Sequence, residues 1–347
     1  MTLSSADLRD VAQDGSRGRA TTSTPPLSPE LWAGTLPRQW VHKRSCSEVY
    51  LTSWRPRGPH MCEVGAQWPR QHSYYSIPSP GSRTPRHDVL LVAETLRQSV
   101  IYTAHQLFGV ALGSALSMNG LSVHLLDEGA LVRDSPTELL LHLECEDVRR
   151  DHHDGLRSST VYVTFRTEGQ VMGVGRGDLT VLSAGIYARL RRGRTPTTVQ
   201  PRGPGLDPGS VGRRSNGDVL LDRAGVVSGK EYELRLDTTH PILFDHPLDH
   251  VPGMLLVDAA RQAVTAAVPD VGSLTGFDAT FGNYVELDSP CAIHVQPAGG
   301  DGDRDGDGDV DTRWRVSFKQ GGRETAVVTL TSTPRAGRLA RLTARGA

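Results

Sequence analysis

"HPLDHVPGMLLVDAARQAV", residues 246–264, decides the fold. Two histidines and a Pro-Gly breaker lead into an apolar run, which Asp258, Arg261 and Gln262 interrupt at helical spacing. A near copy, "LVAETLRQSV", stands at 91–100. Leu91/Leu255, Arg97/Arg261, Gln98/Gln262 and Val100/Val264 are identical, and Glu94 answers Asp258. Upstream, "HSYY" (72–75) resembles "HPILF" (240–244) once a short insertion near "PSPGSRTPR" is allowed, and "EVYLTSW" (48–54) parallels "DVLLDRA" (218–224). The chain therefore reads as two copies of one unit.

In each copy a short strand precedes a helix and strands follow it. "DVLLVAETLRQSVIYTAHQLFG" (88–109) lacks Pro and has Gly only at its end, so it predicts a helix of about six turns. It is apolar almost all round, which predicts burial. The runs "ELLLHLEC", "STVYVTFRT" and "QVMGVGRGDLTVL" read as strands in the first copy, and "CAIHVQP", "TRWRVSFKQ" and "ETAVVTLTS" in the second. The last two meet at Gly321-Gly322, a hairpin signal. A long helix wrapped by an antiparallel sheet is the hotdog arrangement. The expected class is α+β, a tandem (double) hotdog forming a pseudo-dimer.

Composition sets the boundaries and excludes several classes. Residues 1–35 are rich in Ser, Thr, Pro and Gly and read as disordered, and 191–217 as a linker that buries little. That leaves hotdog units at 36–190 and 218–333 and a loose basic tail at 334–347. With 38 basic and 39 acidic residues the net charge is −1, which gives no field for nucleic acid or anionic lipid. No secretory h-region and no bilayer-length apolar stretch occur, so a cytoplasmic protein with no membrane partner is expected. Cys46, Cys62, Cys145 and Cys291 form no CxxC pair, so neither a disulfide framework nor a metal site is expected. "DGDRDGDGDVD" (301–311) mimics a calcium loop but is followed by Thr312 where Glu is needed, and reads as an acidic hairpin tip. "GVGRGD" (173–178) lacks the third glycine and the helix of a dinucleotide fingerprint.

The stretches "VHKRSCSEVYLT", "AQWPRQHSYY", "LLVAETLRQSVIYTAHQLFGV", "AGIYARLR" and "HPILFDHPLDHVPGMLLVDAARQA" occur in an order that resembles the A-factor biosynthesis (AfsA-like) double-hotdog family of actinomycetes. The resemblance covers about 41–333. More distantly, "FDHPLDHVPGMLLVDA" is similar to the β-hydroxyacyl-carrier-protein dehydratases, with His246 and Asp258 at the positions of the active-site histidine and helix acid. Asp258 replaces the Glu usual in both groups and is one methylene shorter. The family resemblance implies an acyltransferase that condenses a β-ketoacyl carrier-protein (or acyl-CoA) thioester with dihydroxyacetone phosphate, on the way to a γ-butyrolactone or furan signal. No cofactor is called for.

Single Glu–Arg pairs three residues apart are usually helix ion pairs of small worth. These recur at equivalent places inside apolar runs, where an idle charge is costly. Glu94, His246 and Asp258 are therefore the catalytic candidates, with Glu94 the expected base. Arg97 and Arg261 are expected to hold the phosphate, and the amides after Gly253 an oxyanion. In a hotdog dimer the histidine loop of one unit meets the helix acid of the other. His246 is thus expected to face Glu94, and the loop from His72 to His87 to face Asp258. Gln98 and Gln262 are expected to bond the backbone of the histidine loop, and His72, His240 and His250 to hold turns. The pair of units predicts a monomeric pseudo-dimer or a homodimer. Competing readings are a hotdog dehydratase or thioesterase, and a non-catalytic acyl- or butyrolactone-binding protein.

Overall fold

The computed structural model describes residues 29–76, 86–126, 132–223, 230–268, 271–298 and 312–332. The acidic run 301–311 and the basic tail lie outside the described residues. In the first unit β1 (Leu51–Pro56) and β2 (Met61–Trp68) precede α1 (Val89–Phe108), and β3 (Ala115–Leu125), β4 (Thr137–Arg150), β5 (Leu156–Thr167) and β6 (Gln170–Leu182) follow. A short helix, α2 (Ala184–Leu190), leads out of it. The second unit repeats the plan: β7 (Leu221–Arg223), β8 (Glu231–Leu234), α3 (Gly253–Ala267), β9 (Leu274–Phe281), β10 (Ala292–Pro297), β11 (Thr312–Gln320) and β12 (Arg323–Ser332).

All twelve strands form one antiparallel sheet in the order β1-β2-β4-β5-β6-β3-β9-β12-β11-β10-β8-β7. Read from the centre outward, each half has the same order, so a pseudo-twofold axis passes between β3 and β9. Those strands pair from Gly120↔Thr280 to His124↔Gly276.

Local chemistry places the helices. Asp88 caps α1 by accepting from Leu90 N at 2.9 Å, and Gly109 ends it in the left-handed region at φ 67°. Leu90, Leu91, Leu96 and Val100 are buried in the concave sheet, each worth roughly 1.5–3 kcal/mol. The glycines of "GVGRG" are packing residues: a Cβ at Gly175 would lie 2.2 Å from Leu96 Cδ1, and one at Gly177 would be 3.1 Å from Val100 Cγ2. Glycine here lets the helix approach β6. At the β11–β12 hairpin, Gly321 and Gly322 supply positive φ at 57° and 76°.

Two expected boundaries need correction. Pro29–Trp32 forms a 3-10 turn that buries Leu31, with Trp32 Nε1 donating to Leu139 O at 3.1 Å, so order begins before residue 36. The stretch 191–217 is no idle linker either. "VGRRSNGDVLL" (211–221) repeats "VHKRSCSEVYL" (41–51), each carrying a 3-10 turn closed by a left-handed residue, Gly212 or His42. Arg191, Val211 and Arg213 are buried. Their partners lie far away in sequence, which is why local composition reads as linker.

Candidate active site

Glu94 sits on the inward face of α1, 2% exposed. Arg97 grips it with Nε on Oε2 at 2.9 Å and Nη2 on Oε1 at 2.8 Å. Lys43 Nζ lies 3.1 Å from Oε1, and Gln98 Nε2 donates to the same oxygen at 2.9 Å. Burial pushes the Glu94 pKa up, but Arg97 and Lys43 more than reverse this and hold the carboxyl well below the usual range. A carboxylate so heavily hydrogen-bonded is a weak proton acceptor. That weighs against the expected role of Glu94 as base.

The cluster opens on a cleft of about 770 Å³ between the two units, which Glu94, Arg97, Lys43, His42, His246 and Gly253 all line. His246 Nδ1 is 3.5 Å from Asp245 Oδ2, and Asp245 is itself fixed by Arg44 N at 2.6 Å and Ser45 N at 3.0 Å. Burial, and then the charge of Arg97, lower the His246 pKa below its ordinary 6.5, so at neutral pH the ring is uncharged and able to accept a proton. His42 is likewise lowered, to about 4, by burial and Arg97. Gly253 begins α3 at the cleft wall behind Pro252. Amides in the first turn of a helix have no partner within it and suit developing negative charge.

The same cleft holds an arrangement that sequence reasoning missed. His250, expected to hold a turn, lines the cleft with Nδ1 2.6 Å from Asp249 Oδ1 and its ring 4.7 Å from that of Tyr284. Asp249 also accepts from Tyr187 Oη at 2.7 Å and Arg191 Nε at 2.9 Å, and Arg191 bridges on to Glu286 at 2.7 Å. The "AGIYARLR" stretch thus anchors the His250 loop. His72 and His240 do hold turns. Each offers Nδ1 to two backbone amides, at 3.1 Å and 3.1 Å for Tyr74 and Tyr75, and at 3.3 Å and 3.1 Å for Ile242 and Leu243.

The second cluster departs from expectation. Asp258 is fully buried and accepts from Arg261 Nε at 2.9 Å and Gln262 Nε2 at 3.0 Å, and also from Arg213 Nη2 and the Tyr74 hydroxyl. Arg261 Nη1 donates to Asp88 Oδ2 at 2.6 Å. Of the described residues between 72 and 88, Tyr74 bonds Asp258 and Asp88 bonds its partner Arg261, whereas His72 and His87 bond neither. His72 turns to Glu48 Oε1 at 3.3 Å, and His87 to Thr137 Oγ1 at 2.7 Å and the Trp68 ring. Arg261 therefore holds a protein carboxylate. Gln98 and Gln262 bond backbone, but at the entry to β1 and β7: Gln98 with Glu48 O (2.7 Å) and Tyr50 N (3.1 Å), Gln262 with Asp218 O (2.8 Å) and Leu220 N (2.9 Å). Among the described residues no group of three or more His, Cys, Asp or Glu side chains could hold a metal, and no helix is long and apolar enough to cross a membrane.

Lys43 and Arg213 are the second omission. They occupy the same place in the two copies, in "VHKRS" and "VGRRS", but stand a different distance from their helices because of the insertion after residue 76. Aligning those two stretches directly would have found them.

Comparison with known proteins matches this plan. The family model described as the A-factor biosynthesis hotdog domain (AfsA) fits residues 28–183 and again 195–335, once per unit. Relatives named 2-oxo-3-(phosphooxy)propyl 3-oxoalkanoate synthase include one from Streptomyces virginiae, 39% identical over 76% of this chain and 87% of its own length. Another, from Streptomyces coelicolor, is 34% identical over 78% and 86%. A third, from Streptomyces griseus, is 32% identical over 86% and 95%. Among solved structures, a MaoC-like dehydratase aligns with TM-score 0.49 at 12% identity over 81% of this chain and 99% of its own. The 12:0-ACP thioesterase of Umbellularia californica aligns with TM-score 0.46 at 11% identity over 79% and 94%. Matched by one family model in both units and by relatives above 30% identity along most of its length, the chain belongs to the AfsA family of A-factor biosynthesis hotdog proteins.

Proposed function

We propose that this chain is an acyltransferase that makes a 2-oxo-3-(phosphooxy)propyl 3-oxoalkanoate, the product named for its relatives, by joining a β-ketoacyl thioester to dihydroxyacetone phosphate. The observation that carries the reading is the inter-unit cleft. It gathers two cations, a neutral histidine and a helix N-terminus around one ionised carboxylate. A thioesterase or dehydratase of this fold has no need of paired cations beside its acid.

In the proposed reaction Lys43 and Arg97 draw in the phosphate of the triose, a task suited to ammonium and guanidinium groups. Glu94 fixes both cations and takes no proton. His246 accepts the hydroxyl proton of the triose as its oxygen attacks the thioester carbonyl carbon. The oxyanion forms toward the first amides of α3, next to Gly253. Collapse breaks the C–S bond, and the thiolate takes the proton back from His246. Ester and free thiol leave, and no oxidant or reductant is consumed. The acyl donor is a carrier-protein or coenzyme A thioester, and separate enzymes close the lactone or furan ring.

Mass spectrometry of the purified protein mixed with a β-ketoacyl thioester and dihydroxyacetone phosphate tests this directly. The expected product is a phosphorylated β-ketoester, absent with Arg97→Ala. Free β-keto acid or a dehydrated thioester without the ester would overturn the proposal in favour of hydrolysis or dehydration. Acyl binding with no product at all would leave a ligand-binding protein.

A further inference from the structure

By sequence and element order the residues of the two acid–arginine clusters correspond one to one: Glu94 to Asp258, Arg97 to Arg261, Gln98 to Gln262, Lys43 to Arg213, Ile242 to Tyr74 and Pro252 to Asp88. The last two pairs differ in chemistry. Asp88 is the N-cap of α1 and Pro252 that of α3, with nearly the same backbone, φ −69° and ψ 133° against φ −62° and ψ 141°. Asp88 reaches across the axis to Arg261. Pro252, at the corresponding position, lines the same cleft as Arg97 and carries no carboxylate.

Each nitrogen of Arg261 consequently has a carboxylate partner, Nε and Nη2 on Asp258 and Nη1 on Asp88. Arg97 holds Glu94 with the same two nitrogens, but its Nη1 has no hydrogen-bond partner among the described residues and its side chain is 21% exposed in the cleft. The close ion pairs follow the hydrogen bonds. Arg213 and Arg261 meet two carboxylates, Asp258 and Asp88. Lys43 and Arg97 meet one, Glu94. Asp245 also lies near Arg97, but its two oxygens accept the amides of Arg44 and Ser45. Asp245 thus gives the first cluster a second negative charge without bonding Arg97, and what is missing is a hydrogen-bond acceptor at Arg97 Nη1, the edge that Asp88 fills on Arg261.

We infer that Asp88 marks, through the pseudo-twofold axis, where a substrate anion binds on Arg97. The second cluster is a copy of the site permanently filled from within, and the chain binds one phosphate rather than two. The identity of that anion as the triose phosphate rests on the proposed function. The existence of the subsite does not. Its position beside Pro252 and the first turn of α3 brings the phosphate ester to the same wall as the amides assigned to the oxyanion.

Installing the missing carboxylate is the test. Asp is a good N-cap residue, so Pro252→Asp copies Asp88 in both backbone and side chain without disturbing the helix. Binding of inorganic phosphate and of dihydroxyacetone phosphate to the full chain would be followed by calorimetry, with thermal unfolding as the check on folding. The expected result is one site per chain in the parent protein, at least tenfold weaker in Pro252→Asp at unchanged or higher Tm, and unaltered in Arg261→Lys. Unchanged phosphate affinity in Pro252→Asp, or loss of binding in Arg261→Lys while it remains folded, would overturn the inference. If phosphate binds and responds as expected but no β-ketoester forms, the subsite stands and the acyltransferase reading falls. If the ester forms while the folded parent shows no phosphate or triose phosphate binding, the subsite falls and the reaction stands.

Discussion

The two acid–arginine clusters arose from the same pattern and now behave differently. Around Asp258 four donors, Arg213, Arg261, Gln262 and the Tyr74 hydroxyl, converge on the carboxylate, and Asp88 takes the remaining nitrogen of Arg261. Around Glu94 the corresponding positions hold Lys43, Ile242 and Pro252, which donate less and offer no second carboxylate. Two substitutions in the loop facing each helix therefore separate a structural knot from an open cleft. The helix residues themselves do not. A repeated functional motif is evidence of descent from a working unit, and the facing loop decides which copy still faces a substrate.

If that contrast is right, removing the two acids has opposite consequences. Asp258→Ala strands Arg213 and Arg261 in a dry interior, and breaking a buried ion pair in this way costs about 3–5 kcal/mol. Urea unfolding should show that loss, or the variant should fail to accumulate as folded protein. Glu94→Gln keeps the shape and leaves Lys43 and Arg97 beside a cleft. It should cost less stability than Asp258→Ala, because the amide keeps the shape and Arg97 is partly open to the cleft, yet lose most ester formation, because the cations lose their fixed positions. Equal stability losses in the two variants would break the comparison.

The second prediction concerns proton transfer. His246→Gln should lower kcat by about 10²–10⁴ with little change in Tm, measured as initial rates of ester formation. Because burial and then Arg97 depress the His246 pKa, the base form is already dominant at neutral pH. The rate profile should be flat around pH 7 and fall only below 6.5 as the ring becomes protonated. A limb centred above pH 7, or one that persists in His246→Gln, would remove His246 from this role and direct attention to the Asp249–His250 pair.

Much of this was legible in the sequence, for identifiable reasons. The helices announce themselves through capping and all-round apolarity, and the Pro-Gly turn and Gly-Gly hairpin through backbone requirements. Glu94, Arg97, Gln98 and their counterparts stand out because charge inside an apolar run demands partners. What stayed hidden was the identity of those partners. Lys43 and Arg213 reach the acids from a loop whose spacing to the helix differs between copies. Tyr187 and Arg191 act on residues distant in sequence, above all Asp249, 62 and 58 residues away. Periodicity reports which face of an element is buried, and it carries no information on what closes over that face.

A third prediction uses acid to tell the units apart. His87 is buried against Trp68, and burial lowers its pKa to about 4. Its counterpart in the second unit is Val251, as Gly212 is the counterpart of His42. Between pH 4 and 6.5 the unfolded chain binds a proton at His87 that the folded chain does not, so stability falls as the pH drops through that window. The slope is on the order of 1.4 kcal/mol per pH unit for one such group. His87→Gln should reduce the dependence of the urea midpoint on pH across that window and leave the shares due to His42, His142, His246 and His250, whose pKa values burial also lowers. Asp258 adds nothing there. Its pKa, raised by burial but lowered further by Arg213 and Arg261, ends below the unfolded value, so its contribution is lost only in stronger acid.

The smallest expected effect on turnover is the most discriminating for the second cluster. Tyr74→Phe removes one donor from Asp258 and nothing else, since Arg213, Arg261 and Gln262 remain in place. Loss of a neutral donor to a buried carboxylate that keeps three others should cost about 1–3 kcal/mol. The Arg213 guanidinium, 4.0 Å from the centroid of the Tyr74 ring, retains that packing in the Phe variant. Ester formation measured well below the unfolding temperature should be unchanged, because Tyr74 closes a site that takes no substrate. A variant of normal stability with reduced turnover would mean that the Asp258 side communicates with the reaction, and the knot would have to be read as a working part.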